Sequence, residues 1–280
     1  MSTIQADLRS SARLAGLAAD VYGSGDGRPP FVLLHGPTFD PTMWSPALSE
    51  LEAIDPGRHV IALDLPGHGQ SDDLASYRLE DVVDRVHAAL EEAGIRFPVL
   101  VGHSIAGGIA SVYAARYATR GVVNVDADLR VRPFAELIQS LATRIESSEF
   151  DDVWRTVFWP SMRMELLPLS AQKLLCGSSC ARQGLVVGYW RDLLDRSPEH
   201  VEAWVSDGLA TLQNRAVPYL VVAGDELDDA YRSWLAEQLP QAIATVLPRS
   251  GHFPHVAHPR QFSECLLTFA DPPSARSYVR

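Results

Sequence analysis

Cysteine is scarce in this chain, with only Cys176, Cys180 and Cys265 among 280 residues. An odd, sparse set is not a disulfide framework, and no further thiol or imidazole pair stands at a zinc-like spacing nearby. Three buried, inert thiols are expected, Cys176 and Cys180 sharing one helical face, with no metal. Long apolar runs are also missing. Nothing approaches the ~20 apolar residues of a bilayer span. Asp7, Arg9, Arg13 and Asp20 interrupt the N-terminal stretch where a leader's apolar region would lie. The expectation is a soluble, cytoplasmic chain with no membrane partner. Positive charge is the third shortage: 24 Lys and Arg stand against 35 Asp and Glu, a net charge of −11. A surface of that sign repels phosphate backbones and no basic stripe offsets it, so nucleic acid is excluded as a partner. No G-x-G-x-x-G or Gly-rich phosphate cradle follows the first strand-like run, so no nucleotide or nicotinamide cofactor is expected. The 19 glycines and 19 prolines show no period, and 46% of the chain is apolar, which excludes collagen-like and largely disordered chains. No surface strip marks an interface, so oligomeric state stays open.

What is present is an alternation of short apolar runs with helical patterns. Ile4, Ala6 and Leu8, then Leu17, Ala19 and Val21, alternate weakly and suit an edge hairpin. Runs at 31–34, 59–63, 97–101, 121–125, 219–223 and 243–247 predict strands. Helical spacing recurs between them, as in Trp44, Leu48 and Leu51, in Val82, Val83, Val86 and Leu90, and over 259–269. The pattern predicts an α/β fold, a mostly parallel sheet with helices on both faces, built from 1–129 and 215–280. Residues 130–214 behave differently. No buried strand is apparent, and helices are predicted near 133–147, 150–158, 171–195 and 198–213, punctuated by Pro160, Pro168 and Pro198. This stretch holds four of the six tryptophans: Trp154, Trp159, Trp190 and Trp204. A helical layer needs aromatic mass to close its own core. Their concentration also predicts that Trp154, Trp159 or Trp190, with Met162, faces an apolar pocket under an inserted lid.

The strongest local signal is VLVGHSIAGGIA at 99–110, a buried strand running into a helix with one hydroxyl at the turn. Gly102, Ala106 and Gly107 surround Ser104 with small side chains, as a strained and crowded strand-to-helix turn requires. Such a turn lifts the hydroxyl above the sheet, and the following helix places free N–H groups beside it. Taken alone, Ser104 is equally well a helix N-cap. A nucleophile needs a base from later in the chain. SGHFPHVAHP at 250–259 supplies His252 just after a strand, in a loop stiffened by Gly251 and Pro254. His103 is expected to point away into structure, and His35 and His68 to brace loops.

At this point the chain resembles the α/β-hydrolase superfamily over nearly its whole length. The pieces are LLHGP at 33–37 with Trp44 downstream, DLPGHGQS at 64–71, VGHSIAGG at 101–108, VPYLVVAGDELD at 217–228 and GHFPHVAHPRQF at 251–262. The resemblance implies an eight-stranded sheet, a lid inserted at 130–214 and a serine nucleophile. It says little of the substrate, because the fold hosts many reactions. Two departures stand out. Members commonly take the acid three residues beyond the glycine after the seventh strand, which here is Leu227. Asp225 and Asp228 are out of step. Asp126 ends the sixth strand, where a minority branch holds its acid, a branch that includes cofactor-free ring-opening dioxygenases and a macrolactone hydrolase. Asp126 is therefore favoured, with Asp228 as the alternative and Asp128 and Asp225 behind them. The second departure is Pro37, which occupies a position whose N–H normally completes the oxyanion hole and which has no N–H. Ile105 is then expected to donate, helped by Thr38, with Pro37 and Phe39 in the pocket and Trp44 a packing anchor.

Three functions follow as expectations. The first is a serine hydrolase cleaving an ester, lactone or related C–C or acyl bond of a small, apolar, possibly ring-containing molecule through an acyl-enzyme, without cofactor. The second is a cofactor-independent oxygenase in which His252 and Asp126 act as base and Ser104 only positions. The third is a non-catalytic binding module on a hydrolase scaffold.

Overall fold

A computed structural model describes residues 9–271. Ala15 and Gly16, with φ of 46° and 84°, make the tight turn that joins β1 (Arg9–Leu14) to β2 (Leu17–Tyr22). Positive φ at both positions matches the right-handed twist of a two-residue hairpin. Ile4, Ala6 and Leu8, assigned to this hairpin from the sequence, lie outside the described residues. Next come β3 (Phe31–Leu34), β4 (Val60–Leu63), β5 (Val99–His103), β6 (Gly121–Val125) and β7 (Tyr219–Ala223), each buried along its whole length. Burial on both faces is why they appear as unbroken apolar runs. β8 (Ala242–Val246) is the far edge, where Ile243 is 60% exposed.

The eight strands order as β1-β2-β4-β3-β5-β6-β7-β8, antiparallel at β1–β2 and β2–β4 and parallel elsewhere. Alternate side chains feed two cores. Val32, Leu34, Leu100, Val122 and Val221 face one layer; Phe31, Leu33, Val99, Val123 and Val222 face the other. The helices of the sheet's first half are α1 (Ser45–Ile54), α2 (Leu79–Glu92) and α3 (Ile105–Arg116). α2 and α3 pack in the first layer and α1 in the second; α2 does so through an apolar stripe, whereas α3 is apolar nearly all round.

Between β6 and β7 the described chain is helical. It comprises α4 (Arg132–Ser140), α5 (Ala142–Ile145), α6 (Phe150–Val153), α7 (Trp159–Ser161), α8 (Leu169–Ser178), α9 (Gln183–Tyr189), α10 (Arg191–Asp195) and α11 (Pro198–Asn214). It owns a third core of Ile138, Phe150, Phe158, Val186, Trp190 and their neighbours. The remaining helices are α12 (Asp229–Gln238), α13 (Pro254–Ala257) and α14 (Pro259–Ala270).

Three predicted helices are broken. The stretch 133–147 divides at Leu141 into α4 and α5. The stretch 171–195 divides into α8, α9 and α10. α8 stops at Ser178, and Cys180 N–H turns to donate to Thr38 O at 2.6 Å. The stretch 150–158 passes from α6 into a π turn, Trp154–Phe158, where Trp159 N–H donates to Trp154 O. That bond reaches five residues back, and Pro160 just beyond has no N–H to restore the ordinary ladder. The expectation of buried thiols is corrected as well. Cys176 and Cys180 are exposed and Cys265 is half-buried. With α8 ended at Ser178, Cys176 and Cys180 do not share a helical face.

Candidate active site

Ser104 sits at φ 57° and ψ −131° between β5 and α3. Its small neighbours are forced: a Cβ on Gly102 would lie 2.0 Å from Ala106 O. Ser104 N–H donates to Val125 O at 2.9 Å, which continues the β5–β6 register one row beyond His103 and Val125. That row holds Asp126, whose φ is 56° and whose N–H donates to Val222 O at 2.9 Å. Two non-glycine residues at positive φ therefore leave adjacent strands side by side. Left-handed backbone costs ~1–2 kcal/mol per residue, and such strain clusters at functional sites. Ser104 has no side-chain cap hydrogen bond, so its hydroxyl is not spent on α3.

The Asp126 carboxylate has both oxygens engaged. Oδ2 accepts from His252 Nδ1 at 2.7 Å, and Oδ1 accepts from Gly224 N–H at 2.7 Å. Gly224 belongs at the end of β7, and only glycine fits there, because a Cβ would meet Gly251 O at 1.8 Å. The carboxylate fixes the imidazole so that Nδ1 carries its proton toward Asp126 and Nε2 is left as an acceptor. His252 is also held through its backbone. His103 Nε2–H donates to His252 O at 2.7 Å, and His252 N–H donates to Met162 O at 3.0 Å. His103 is fully buried, and desolvation first, then the nearby His252, keep it well below its ordinary pKa and neutral. Ser104 and His252 line the same cavity, and among the described residues no hydrogen bond joins the hydroxyl to the ring.

The other three acids stand apart. Asp228 caps α12, accepting from Tyr231 N–H at 2.5 Å, and pairs with Arg130 at 3.5 Å. The Tyr231 amide and Arg130 hold its carboxyl below the usual range. Asp128 pairs with Arg130 and Asp225 with Arg163.

Thr38 is corrected. It is buried at φ 73°, its N–H donates to His68 Nε2 at 3.2 Å, and it does not line the cavity. His68 Nδ1–H donates in turn to Pro66 O at 3.1 Å. Desolvation, then His35, push the His68 pKa down to about 3, so the ring is a neutral acceptor for Thr38. Pro37, Phe39 and Ile105 do line the cavity. Ile105 opens α3, so its N–H has no partner within the helix. Trp44 is fully buried against His255, with ring centroids 4.4 Å apart.

The cavity holds about 590 Å³. Trp154, Phe158, Met162 and Trp190 form its wall on the helical side. Phe158 and Trp190 pack with centroids at 4.8 Å and planes tilted by 52°, and belong to the third core. Trp159 is the exception among the predicted pocket residues: it packs into the second core instead. Sequence reasoning missed three features. Gly224 and Met162 act through their backbones, which leaves no side-chain signal. Val201, Val205 and Gly208 of α11 also line the cavity, and their three-to-four-residue spacing around Trp204 was the available clue.

Comparison with known proteins agrees with this architecture. The model of the Alpha/beta hydrolase family matches residues 31–264. A 2-succinyl-6-hydroxy-2,4-cyclohexadiene-1-carboxylate synthase of Serratia proteamaculans (strain 568) is 27% identical over 268 residues, 90% of this chain and 98% of that protein. One of the same name from Yersinia pestis bv. Antiqua (strain Nepal516) is 28% identical over 232 residues, 78% of this chain and 81% of that protein. Among solved structures, a hydrolase from Pseudomonas aeruginosa PA01 superposes with a TM-score of 0.73 at 18% identity, covering 95% of this chain and 100% of that one. E-2-(acetamidomethylene)succinate hydrolase gives 0.72 at 20% identity, covering 94% and 99%. With the matched segment running from β3 into α14, this chain belongs to the alpha/beta hydrolase family.

Proposed function

We propose that the protein is a serine hydrolase acting on a small, uncharged, apolar acyl compound, with Ser104 as nucleophile, His252 as base and Asp126 as acid. The observation that carries this reading is the 2.7 Å contact of His252 Nδ1 with Asp126, beside a serine held on a strained turn. His252 Nε2 takes the Ser104 proton as Oγ attacks the substrate carbonyl. Ile105 N–H and the positive end of α3 receive the oxyanion. The imidazolium then protonates the leaving group, and the ring activates water to release the acyl product. We take 1–129 and 215–280 as the catalytic core and 130–214 as the lid that roofs the cavity.

The cavity's charge bears on the substrate. Its lining holds one arginine, Arg116, against five carboxylates including Glu80, Asp192 and Asp207. Arg116 is already paired with Asp84 at 2.8 Å. The relatives' names specify carboxylate-bearing ring compounds, and this lining offers such a molecule no free cation. An ester, lactone or thioester without net negative charge suits it better. Pro37 leaves the hole with one main-chain donor from these two positions, and a lost donor costs ~3 kcal/mol of transition-state stabilisation. That favours, as a second reading, a His252–Asp126 base that deprotonates a hydroxylated ring substrate while Ser104 only positions it.

Labelling and rate separate the readings. Incubation with a fluorophosphonate is expected to add one adduct at Ser104 by intact mass and peptide mapping, and Ser104→Ala is expected to abolish turnover of an activated aryl ester. Activity that survives in part in Ser104→Ala, with oxygen consumed on a hydroxyquinolone, would sustain the base reading instead. No adduct and no burst in the folded protein would leave only a binding module.

A further inference from the structure

The cavity does not end at the catalytic serine. Along α3 it is lined by Ser104, Ile105, Gly108, Val112, Ala115 and Arg116. Those positions follow helical spacing and form one continuous face of a helix of 12 residues, about 18 Å long at the helical rise. α11 supplies the opposite wall through Val201, Val205, Gly208 and Thr211. The two helices run side by side with their C-terminal ends together, because Arg215, just past α11, donates to Ala114 O at 2.8 Å and Ala115 O at 2.9 Å. The space between them is therefore an arm leading from Ser104 to the exposed residues Arg116 and Asp207.

Between Ser104 and its charged mouth the arm is mostly apolar. Leu79, Gly108, Val112, Ala115, Val205 and Gly208 carry no hydrogen-bonding side chain. Its two hydroxyls are both engaged: Ser111 with Gly107 O at 2.7 Å and Tyr219 OH at 2.8 Å, and Thr211, which donates to Asp207 O at 2.9 Å. The arm is also open where it passes the two glycines. A Cβ on Gly208 meets nothing within 4 Å, and one on Gly108 comes no nearer than 3.9 Å to Leu79 Cδ2. An apolar channel beginning at the nucleophile selects for hydrocarbon, since each buried methylene contributes ~0.8 kcal/mol.

We infer that the substrate carries a linear, uncharged hydrocarbon arm, on the order of a dozen carbons at the helical length above, which lies between α3 and α11 with its far end at Arg116 and Asp207. This rests on the hydrolase reading for the position of the reacting carbonyl, and on the cavity alone for the hydrocarbon arm.

A chain-length series tests it. With p-nitrophenyl acetate, butyrate, octanoate and dodecanoate, kcat/KM of the full chain is expected to rise at least tenfold from butyrate to dodecanoate. In Gly208→Phe the dodecanoate-to-butyrate ratio is expected to fall at least tenfold, with Val205→Phe as a second block and circular dichroism to verify folding. A wild-type preference for the shortest esters, or an unchanged ratio in both folded variants, would overturn the inference. Binding of 1-dodecanol against 1-butanol, followed by tryptophan fluorescence in wild type and Ser104→Ala, separates it from the mechanism. Tight dodecanol binding that Gly208→Phe abolishes supports the channel even if no ester is turned over. Equal, weak binding of both alcohols overturns it.

Discussion

The carboxyl edge of the sheet and the helical wall above it are built by different forces. At the edge, main-chain groups hold the candidate site residues. Gly224 N–H clamps Asp126, His252 is tied to His103 and Met162 through its own backbone, and Ser104 and Asp126 are locked at positive φ. In the wall, Trp154, Phe158 and Trp190 hold one another by ring packing. Directional bonds fix atoms to a fraction of an ångström, whereas packing fixes volume and tolerates exchange. Under the proposed function, reaction type is vested in the edge and substrate choice in the wall, so substitutions in the two regions should fail in different ways.

The largest separation comes from Ser104→Ala, expected to lower kcat on the order of 10⁶-fold with an unchanged Tm. A large loss of Tm would mean that the turn itself depends on the hydroxyl. In the wall the opposite balance holds. Trp190→Ala opens the third core and is expected to cost ~3–5 kcal/mol of stability by denaturant titration, while some turnover persists. Pro37→Gly restores an N–H at the edge and is expected to raise kcat for an aryl ester by up to ~10²-fold. Unchanged kcat would show that no oxyanion lies near that position.

Protons provide a smaller test. Burial drives His68 and His255 down to about 3 from an ordinary value of 6.5, so both are neutral in the fold. The unfolded chain protonates them near 6.5, so unfolding takes up protons below that pH. Stability contributed by these rings is full above 6.5 and falls as pH drops toward 3, by up to about 1.4 kcal/mol per pH unit for each ring. Tm against pH should show this slope, and His255→Phe, which sits between Trp44 and Phe262, should flatten it. The smallest effect is Asp228→Ala, which removes the cap of α12. It is expected to lower Tm slightly and leave kcat/KM unchanged.

The sheet was legible because strands buried on both faces write unbroken apolar runs, and Ser104 because crowding demands small residues around it. Asp126 was legible only as the first of four candidates. What singles it out is the contact with His252, 126 positions away, steadied by the amide of Gly224, and neither long-range contact leaves a mark on composition. Thr38 was misjudged for a similar reason, its N–H being claimed by His68 from another loop. Trp154 and Trp159 were indistinguishable because the π turn between them changes the helical phase. The α11 wall left only the spacing of Val201, Val205 and Gly208 as a signal, and the room beside Gly108 and Gly208 comes from side chains that are absent.

Which carboxylate serves His252 decides between the proposed acid and its alternative. Steady-state rates of Asp126→Asn and Asp228→Asn on one activated ester, measured side by side with both proteins folded, decide it. The structure predicts a loss of about 10⁴-fold in kcat for Asp126→Asn, through the wrong imidazole tautomer, and wild-type kcat for Asp228→Asn. Wild-type activity in Asp126→Asn, or a comparable collapse in Asp228→Asn, would contradict it.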